Sequence, residues 1–138
     1  MARVGERLRA EDRALIRAAQ GALRRGFVPH YHGVAAAVRT RSGAIFLGLN
    51  VEGIHGPCAE PVAIGAAMTA GDRSIESMVA VTVRGRKYPV LSPCGNCRQL
   101  LLDYAPKATV IVNFGNGRVA RVAVTDALPG AFRTFQQG

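Results

Sequence analysis

The residues with the clearest chemistry are three cysteines and one glutamate. Pro93-Cys94-Gly95-Asn96-Cys97 contains a Cys-x-x-Cys pair. At the start of a predicted helix this spacing puts both sulfurs on one face, because residues three apart are neighbours there. Free backbone amides and the helix dipole at that end favour thiolates. Such a pair alone is equally a metal clip, a redox couple or two buried thiols. Cys58-Ala59-Glu60, after Gly56-Pro57, opens a second predicted helix and adds a third sulfur. Three protein ligands with a vacant fourth position are the layout of a catalytic zinc site. A fourth ligand from His30, His32 or His55 would close it into a structural one.

Glu60 lies two residues past Cys58 and is expected beside the metal rather than on it. Three thiolates outweigh a divalent ion by one charge, so the ion is a weaker Lewis acid than one held by imidazoles. Zinc at best lowers the pKa of its water from about 15.7 to about 7. Here the drop is expected to be smaller, so a neighbouring base must help. The helix dipoles and Arg98 are expected to draw charge from the sulfurs. By itself Glu60 reads as a first-turn carboxylate that merely suits the dipole; beside the cysteines it does not.

The elements that must position these groups are legible in the hydrophobic pattern. Glu6 to Arg25 reads as an amphipathic helix ended by Gly26. Gly33 to Thr40 and Ala44 to Asn50 read as a hairpin about Arg41-Ser42-Gly43. Cys58 to Ala70 reads as a helix, Ser77 to Val83 as a strand, and Cys94 to Tyr104 as a second inner helix. Thr109 to Phe114 and Arg118 to Val124 read as strands joined at Asn116-Gly117. The pattern predicts one α/β domain over residues 1–138, a mixed five-stranded sheet between two helical layers. Both inner helices then start at one edge of the sheet, where such proteins place ligands.

The 138 residues carry 49% hydrophobic side chains, enough for a packed core. No apolar run approaches the roughly 20 residues of a membrane helix. Residues 1–10 alternate arginine with small residues and lack the apolar block of a secretory signal. A cytoplasmic protein is expected. The formal charge of +9 would suit a nucleic-acid binder. The arginines are scattered, however, and the aromatics do not interleave with them as a base-stacking platform requires. Neither a polynucleotide nor a membrane partner is expected. An odd cysteine count suits a disulfide scaffold poorly.

Cys-Ala-Glu followed by Pro-Cys-x-x-Cys-Arg-Gln resembles the cytidine deaminase family, whose His/Cys-x-Glu and Pro-Cys-x-x-Cys signature carries a zinc ion and an acid/base glutamate. The resemblance spans roughly Val34 to Phe132 and is most specific over Ser92 to Gln99. Cysteine rather than histidine in the first motif is similar to the small homotetrameric deaminases of free nucleosides. The resemblance implies that Cys58, Cys94 and Cys97 hold zinc. It implies that Glu60 takes a proton from the attacking water, gives it to ring N3 and helps ammonia leave from C4. It implies that the Ala59 backbone contacts the base, and that Asn50 and Glu52 match the Asn-x-Glu element that binds ribose. Residues 128–135 resemble the C-terminal region that reaches a neighbouring subunit's pocket, with Phe132 as the candidate. Val62, Ile64, Ala66, Ala67 and Met68 exceed one buried stripe and suit a subunit contact, as a homotetramer requires.

The chain also departs from that pattern. Five residues, Gly53 to Pro57, separate Glu52 from Cys58, fewer than in typical cytidine deaminases. The short Gly-Ile-His-Gly-Pro-Cys form looks more like blasticidin S deaminase, which lacks the glutamate at Glu52. Pro61 stands where an arginine usually neutralises a cysteine ligand. His32 sits near where an aromatic residue packs on the nucleoside, and His32 and His55 are candidates for the pocket. The expected reaction is hydrolytic deamination of a cytosine-type ring in a free small molecule: cytidine, deoxycytidine, a free or modified base, or blasticidin S. The competing readings are a structural-zinc domain that binds nucleic acid through its charge, and a thiol redox protein using Cys94 and Cys97.

Overall fold

The computed structural model describes residues 4–133. Helix α1 spans Ala10–Gly26 and is followed by strands β1 (Val34–Thr40) and β2 (Ile45–Leu49). Helix α2 (Ala59–Thr69), strand β3 (Ile75–Thr82), the short strand β4 (Val90–Leu91) and helix α3 (Gly95–Tyr104) come next. Strands β5 (Thr109–Asn113) and β6 (Val119–Ala123) and the short helix α4 (Val124–Ala127) complete the order.

The sheet runs β2-β1-β3-β5-β6, with β3 and β5 parallel and the other pairs antiparallel. The expected five strands form this path, but the sheet has six, because β4 also pairs with β3. Two residues are too few for an alternating pattern to show. β4 and β5 share one edge of β3: Ser77 and Met78 pair with β5, and Ala80 and Val81 pair with β4. Ser92 Oγ donates to the Asn113 carbonyl at 3.0 Å and accepts the Asn113 N–H at 2.9 Å. Asn113 Nδ2 donates to the Val90 carbonyl at 2.9 Å. These bonds fix the approach to Pro93 and Cys94 at the end of the sheet.

Alternation along β1 splits the core into two layers. Ala36 and Val38 pack with Ala63, Ile64 and Ala67 of α2 and Leu101 and Leu102 of α3. Ala35 and Ala37 pack with Leu15, Ala19 and Leu23 of α1. The result is the expected three-layer α/β/α arrangement. A Cβ added to Gly48 would lie 2.5 Å from the Ala63 nitrogen, so this glycine lets α2 lie against β2.

Helix α1 starts four residues later than its apolar periodicity suggests. Glu6 is instead bound to β6, through Glu6 N–H to Arg121 O at 2.7 Å and Arg121 N–H to Glu6 O at 3.0 Å. Asp12, fully buried, accepts the Arg9 N–H at 2.8 Å and caps the helix start. Its carboxylate also pairs with two buried arginines, Arg121 at 3.1 Å and Arg39 at 3.7 Å. Among the described residues no helix is long and apolar enough to cross a membrane.

Candidate metal and active site

Cys58 is the N-cap of α2 and Cys94 the N-cap of α3; Cys97 lies one turn on, at the third position of α3. The two helix starts meet, as expected. The three sulfurs lie within 4.8 Å of one another, with Cys94 and Cys97 at 3.6 Å. Cys97 is buried, whereas Cys58 and Cys94 are open to the surface. Among the described residues no histidine joins this cluster, so the arrangement keeps a free side.

Burial pushes the Cys97 thiol far above its ordinary range, and the nearby Glu60 carboxylate pushes the same way. Burial also raises Cys58, against a hydrogen bond from Cys97. For Cys94 burial acts upward too, but hydrogen bonds from the Cys97 backbone and from the Cys97 and Cys58 thiols outweigh it and leave the group lowered. Three crowded sulfurs at two positive helix ends fit a soft divalent ion such as zinc. The nearest cation in sequence is committed elsewhere. Arg98 Nε donates to the Pro93 carbonyl and Nη1 to the Ala127 carbonyl, each at 2.8 Å. These bonds hold the metal loop and α4 together, a role the sequence spacing did not suggest.

Glu60, at the second position of α2, is only 4% exposed. Burial raises its carboxyl above the ordinary carboxylate range, against hydrogen bonds from its own backbone N–H and from Cys97. It lines a cavity of about 400 Å³ together with Cys58, Cys94, Ala59, Val34 and Leu91. Asn50 and Glu52 line the same cavity. Asn50 is partly spent on the backbone: Oδ1 accepts the Val34 N–H at 3.0 Å and Nδ2 donates to the Tyr31 carbonyl at 3.2 Å. Glu52 is exposed. A Cβ on Gly56 would fall 1.9 Å from the Val51 carbonyl oxygen, so only glycine closes the short turn that leads into Cys58.

Two histidine expectations land elsewhere. His32 Nδ1 donates to the Asn50 carbonyl at 2.8 Å, and its ring lines a separate groove with Gly26, Leu49 and Val62. His55 is exposed in the Gly53–Gly56 turn and is not among the residues lining the cavity. Phe132 is 72% exposed, and its carbonyl accepts from Gln99 Nε2 at 3.0 Å. Residues 134 and 135 of the C-terminal segment lie outside the described residues.

The family model for the cytidine and deoxycytidylate deaminase zinc-binding region matches residues 9–113. The chain belongs to the cytidine deaminase family. Blasticidin-S deaminase of Bacillus cereus is 32% identical, over 86% of this chain and 90% of that protein. Cytidine deaminase of Halalkalibacterium halodurans is 33% identical, over 86% and 91%. The crystal structure of cytidine deaminase from Burkholderia pseudomallei superposes with a TM-score of 0.71 at 32% identity, covering 87% of this chain and 98% of that one. This deaminase is a zinc-dependent hydrolase acting on a cytosine-type ring.

Proposed function

We propose that the enzyme deaminates the cytosine ring of a free nucleoside, with Glu60 moving the protons and Cys58, Cys94 and Cys97 holding the zinc. The observation that carries this reading is the buried Glu60, which lines one cavity with Cys58 and Cys94, two members of the three-sulfur cluster. When bound, the metal supplies Lewis-acid activation of the attacking water. Glu60 takes a proton from that water and delivers it to ring N3, which makes C4 electrophilic. The water oxygen bonds to C4; Glu60 then takes the remaining proton from that oxygen and passes it to the C4 amine, the C–N bond breaks, and ammonia leaves a carbonyl behind. One water is consumed and no redox step occurs. Burial keeps bulk water from competing for these transfers. Ala59, in the first turn of α2, lines the cavity, which supports contact of its backbone with the polar edge of the ring. Glu52 and Asn50 line the same cavity, which supports a hold on the sugar hydroxyls by the Glu52 carboxylate and the remaining Asn50 N–H.

A second reading is deamination of blasticidin S. It is favoured by the 32% identical relative of that name and by the short turn between Glu52 and Cys58. Ammonia release from cytidine, deoxycytidine, cytosine, 5-substituted cytosines and blasticidin S separates the two. The nucleoside reading expects cytidine or deoxycytidine to exceed free cytosine by at least about tenfold in kcat/KM, the worth of one charged hydrogen bond. Equal turnover of base and nucleoside overturns the sugar clamp.

The same reading includes a homotetramer working on a free pyrimidine in cytoplasmic salvage. Apolar residues spread around α2 beyond its core face support the assembly: Val62, Ala66 and Met68 are half-buried and Gly65 is exposed. Phe132, exposed on a backbone held by Gln99, is the candidate to enter a neighbour's pocket. Sedimentation velocity tests this. A tetramer that Val62→Asp dissociates supports it, and a monomer at micromolar concentration rejects it.

A further inference from the structure

We propose that His32 is a positioning residue for the sugar half of the substrate: from outside the cavity, through the Asn50 carbonyl, it orders the chain that carries Asn50 and Glu52. The proposal rests on the nucleoside reading above. His32 is not among the residues lining the substrate cavity; it lines the separate groove together with Leu49 and Val51. Asn50 and Glu52 line the substrate cavity. Alternate residues of 49–52 thus belong to the two spaces, as side chains of an extended chain alternate. His32 meets this shared segment at its backbone, with Nδ1 donating to the Asn50 carbonyl at 2.8 Å.

That carbonyl belongs to the peptide joining Asn50 to Val51, and the same peptide is held at its other end. Val51 N–H donates to the Pro57 carbonyl at 3.1 Å, immediately before Cys58. A peptide unit is planar, so a bond at its oxygen and a bond at its nitrogen together fix the plane through which the chain passes from Asn50 to Glu52. Three further bonds tie Asn50 to the segment before β1. Asn50 N–H donates to the Val34 carbonyl at 3.1 Å, Val34 N–H to Asn50 Oδ1 at 3.0 Å, and Asn50 Nδ2 to the Tyr31 carbonyl at 3.2 Å. In these three the partner from that segment is backbone, which many residue types could supply. The His32 ring is the side chain that the segment adds. Its donor comes from a closed turn. Tyr31 N–H and His32 N–H both donate to the Val28 carbonyl, at 3.0 and 2.9 Å, and Val28 N–H donates to the His32 carbonyl at 3.3 Å. Pro29 presets the second position of this turn, and His30 takes the third at a φ of +69°. A side chain holds that left-handed conformation where its surroundings over-determine it. Glu52 is exposed, so its carboxylate meets a sugar hydroxyl more often when the peptide before it is already ordered.

The test compares cytidine and free cytosine on the zinc-loaded enzyme and on His32→Leu and His32→Asn. Leucine and asparagine are similar in size, but asparagine carries an N–H donor at the δ position, where His32 has Nδ1. His32→Leu is expected to raise the KM for cytidine about three- to tenfold, the range for one hydrogen bond, with kcat and cytosine turnover within about twofold. His32→Asn is expected to restore most of the loss. In a Glu52→Gln background His32→Leu is expected to add less than about twofold, because the two act on one contact. Amide hydrogen exchange is expected to speed up at Val51 in His32→Leu and to stay unchanged in α2 and α3. Equal losses on cytidine and cytosine, full additivity with Glu52→Gln, or a leucine variant that loses its fold makes His32 a structural group and overturns the proposal. Wild type that prefers cytidine, with His32→Leu unchanged, overturns this inference alone. Wild type that shows no preference for cytidine over cytosine overturns the sugar reading and this one with it.

Discussion

Cys58 and Cys94 occupy the same position in two different helices. Each is an N-cap, with φ/ψ of −61°/168° and −67°/168°. The near-identical dihedrals aim both sulfurs off helix ends whose dipoles favour negative charge. Cys97 adds the third sulfur from the first turn of α3, and Glu60 adds a carboxyl from the first turn of α2. Two copies of one local device, brought together by the sheet, thus build the whole centre.

Separating metal holding from proton transfer is the first test. Glu60→Gln keeps the shape of the side chain and removes its charge. Zinc content after purification is expected to stay at one per chain, while kcat falls by about 10²–10⁴-fold or more, since one acid/base group serves several transfers. A variant that keeps its rate removes Glu60 from the mechanism. A variant that loses zinc makes it a ligand instead.

The sulfurs answer to a different measurement. Cys94→Ala or Cys97→Ala is expected to abolish zinc retention and activity together. Removing zinc from the native protein with a chelator is expected to cost about 4 kcal/mol of stability, the effect of a ligand at about 1,000 times its Kd. Zinc, but not magnesium, should restore it, because thiolates select softer ions. Metal-free protein with full activity and a reversible Cys94–Cys97 disulfide would favour the redox reading.

How much of this was legible follows from the range over which each signal acts. The cysteine motifs are local, and so are the helix starts that carry them; composition and spacing reveal both. The hairpin at Gly43 and the inner helices follow from periodicity and turn chemistry for the same reason. β4 was invisible because two residues carry no period, yet it delivers the chain to Cys94. The partners of Arg98 and Asp12 were invisible because they are distant in sequence: Ala127 lies 29 residues from Arg98, and Arg121 lies far from Asp12. His32 pointed to the pocket by its place in the sequence. Its ring bonds the Asn50 carbonyl and lines the groove with Gly26, Leu49 and Val62.

Asp12 concentrates much of the polar energy beneath α1. It is fully buried between Arg39 and Arg121, themselves 6% and 8% exposed. Removing the carboxylate leaves two buried cations with only the exposed Glu6 nearby, 3.2 Å from Arg121. Asp12→Ala is expected to cost about 3–5 kcal/mol in urea unfolding, the range for breaking a buried pair from one side. A loss below about 1 kcal/mol would mean that water already solvates these arginines.

Asp72 makes stability depend on acid. Its carboxyl is held below the ordinary carboxylate range, first by the Thr40 hydroxyl at 2.7 Å and then by the Ser74 and Ser42 hydroxyls at 2.9 and 3.1 Å. The folded pKa is depressed, so the contribution is complete above the unfolded value of about 3.9 and disappears as pH falls through the folded value. Asp72→Asn is therefore expected to be less stable than wild type at neutral pH and to converge with it in strong acid. Curves that stay parallel across the acid range would show that these hydroxyls bind the neutral carboxyl equally well.

The proposed hold on the sugar rests on Glu52. It is exposed and lines the same cavity as Glu60, and Asn50 has already given its oxygen and one donor to the backbone. In the proposed nucleoside reading, the ribose hydroxyl takes the Glu52 carboxylate as its acceptor. A hydrogen bond to a charged group is worth about 1.5–3 kcal/mol. Glu52→Gln is thus expected to raise the KM for cytidine by about 10–100-fold and to leave the kcat within a fewfold. Free cytosine, which has no sugar to lose, should respond little. Asn50→Ala should instead lower the melting temperature, because it frees the Val34 N–H and the Tyr31 carbonyl as well. Equal losses for cytidine and cytosine in Glu52→Gln would mean that the carboxylate shapes the cavity or its field rather than gripping the sugar.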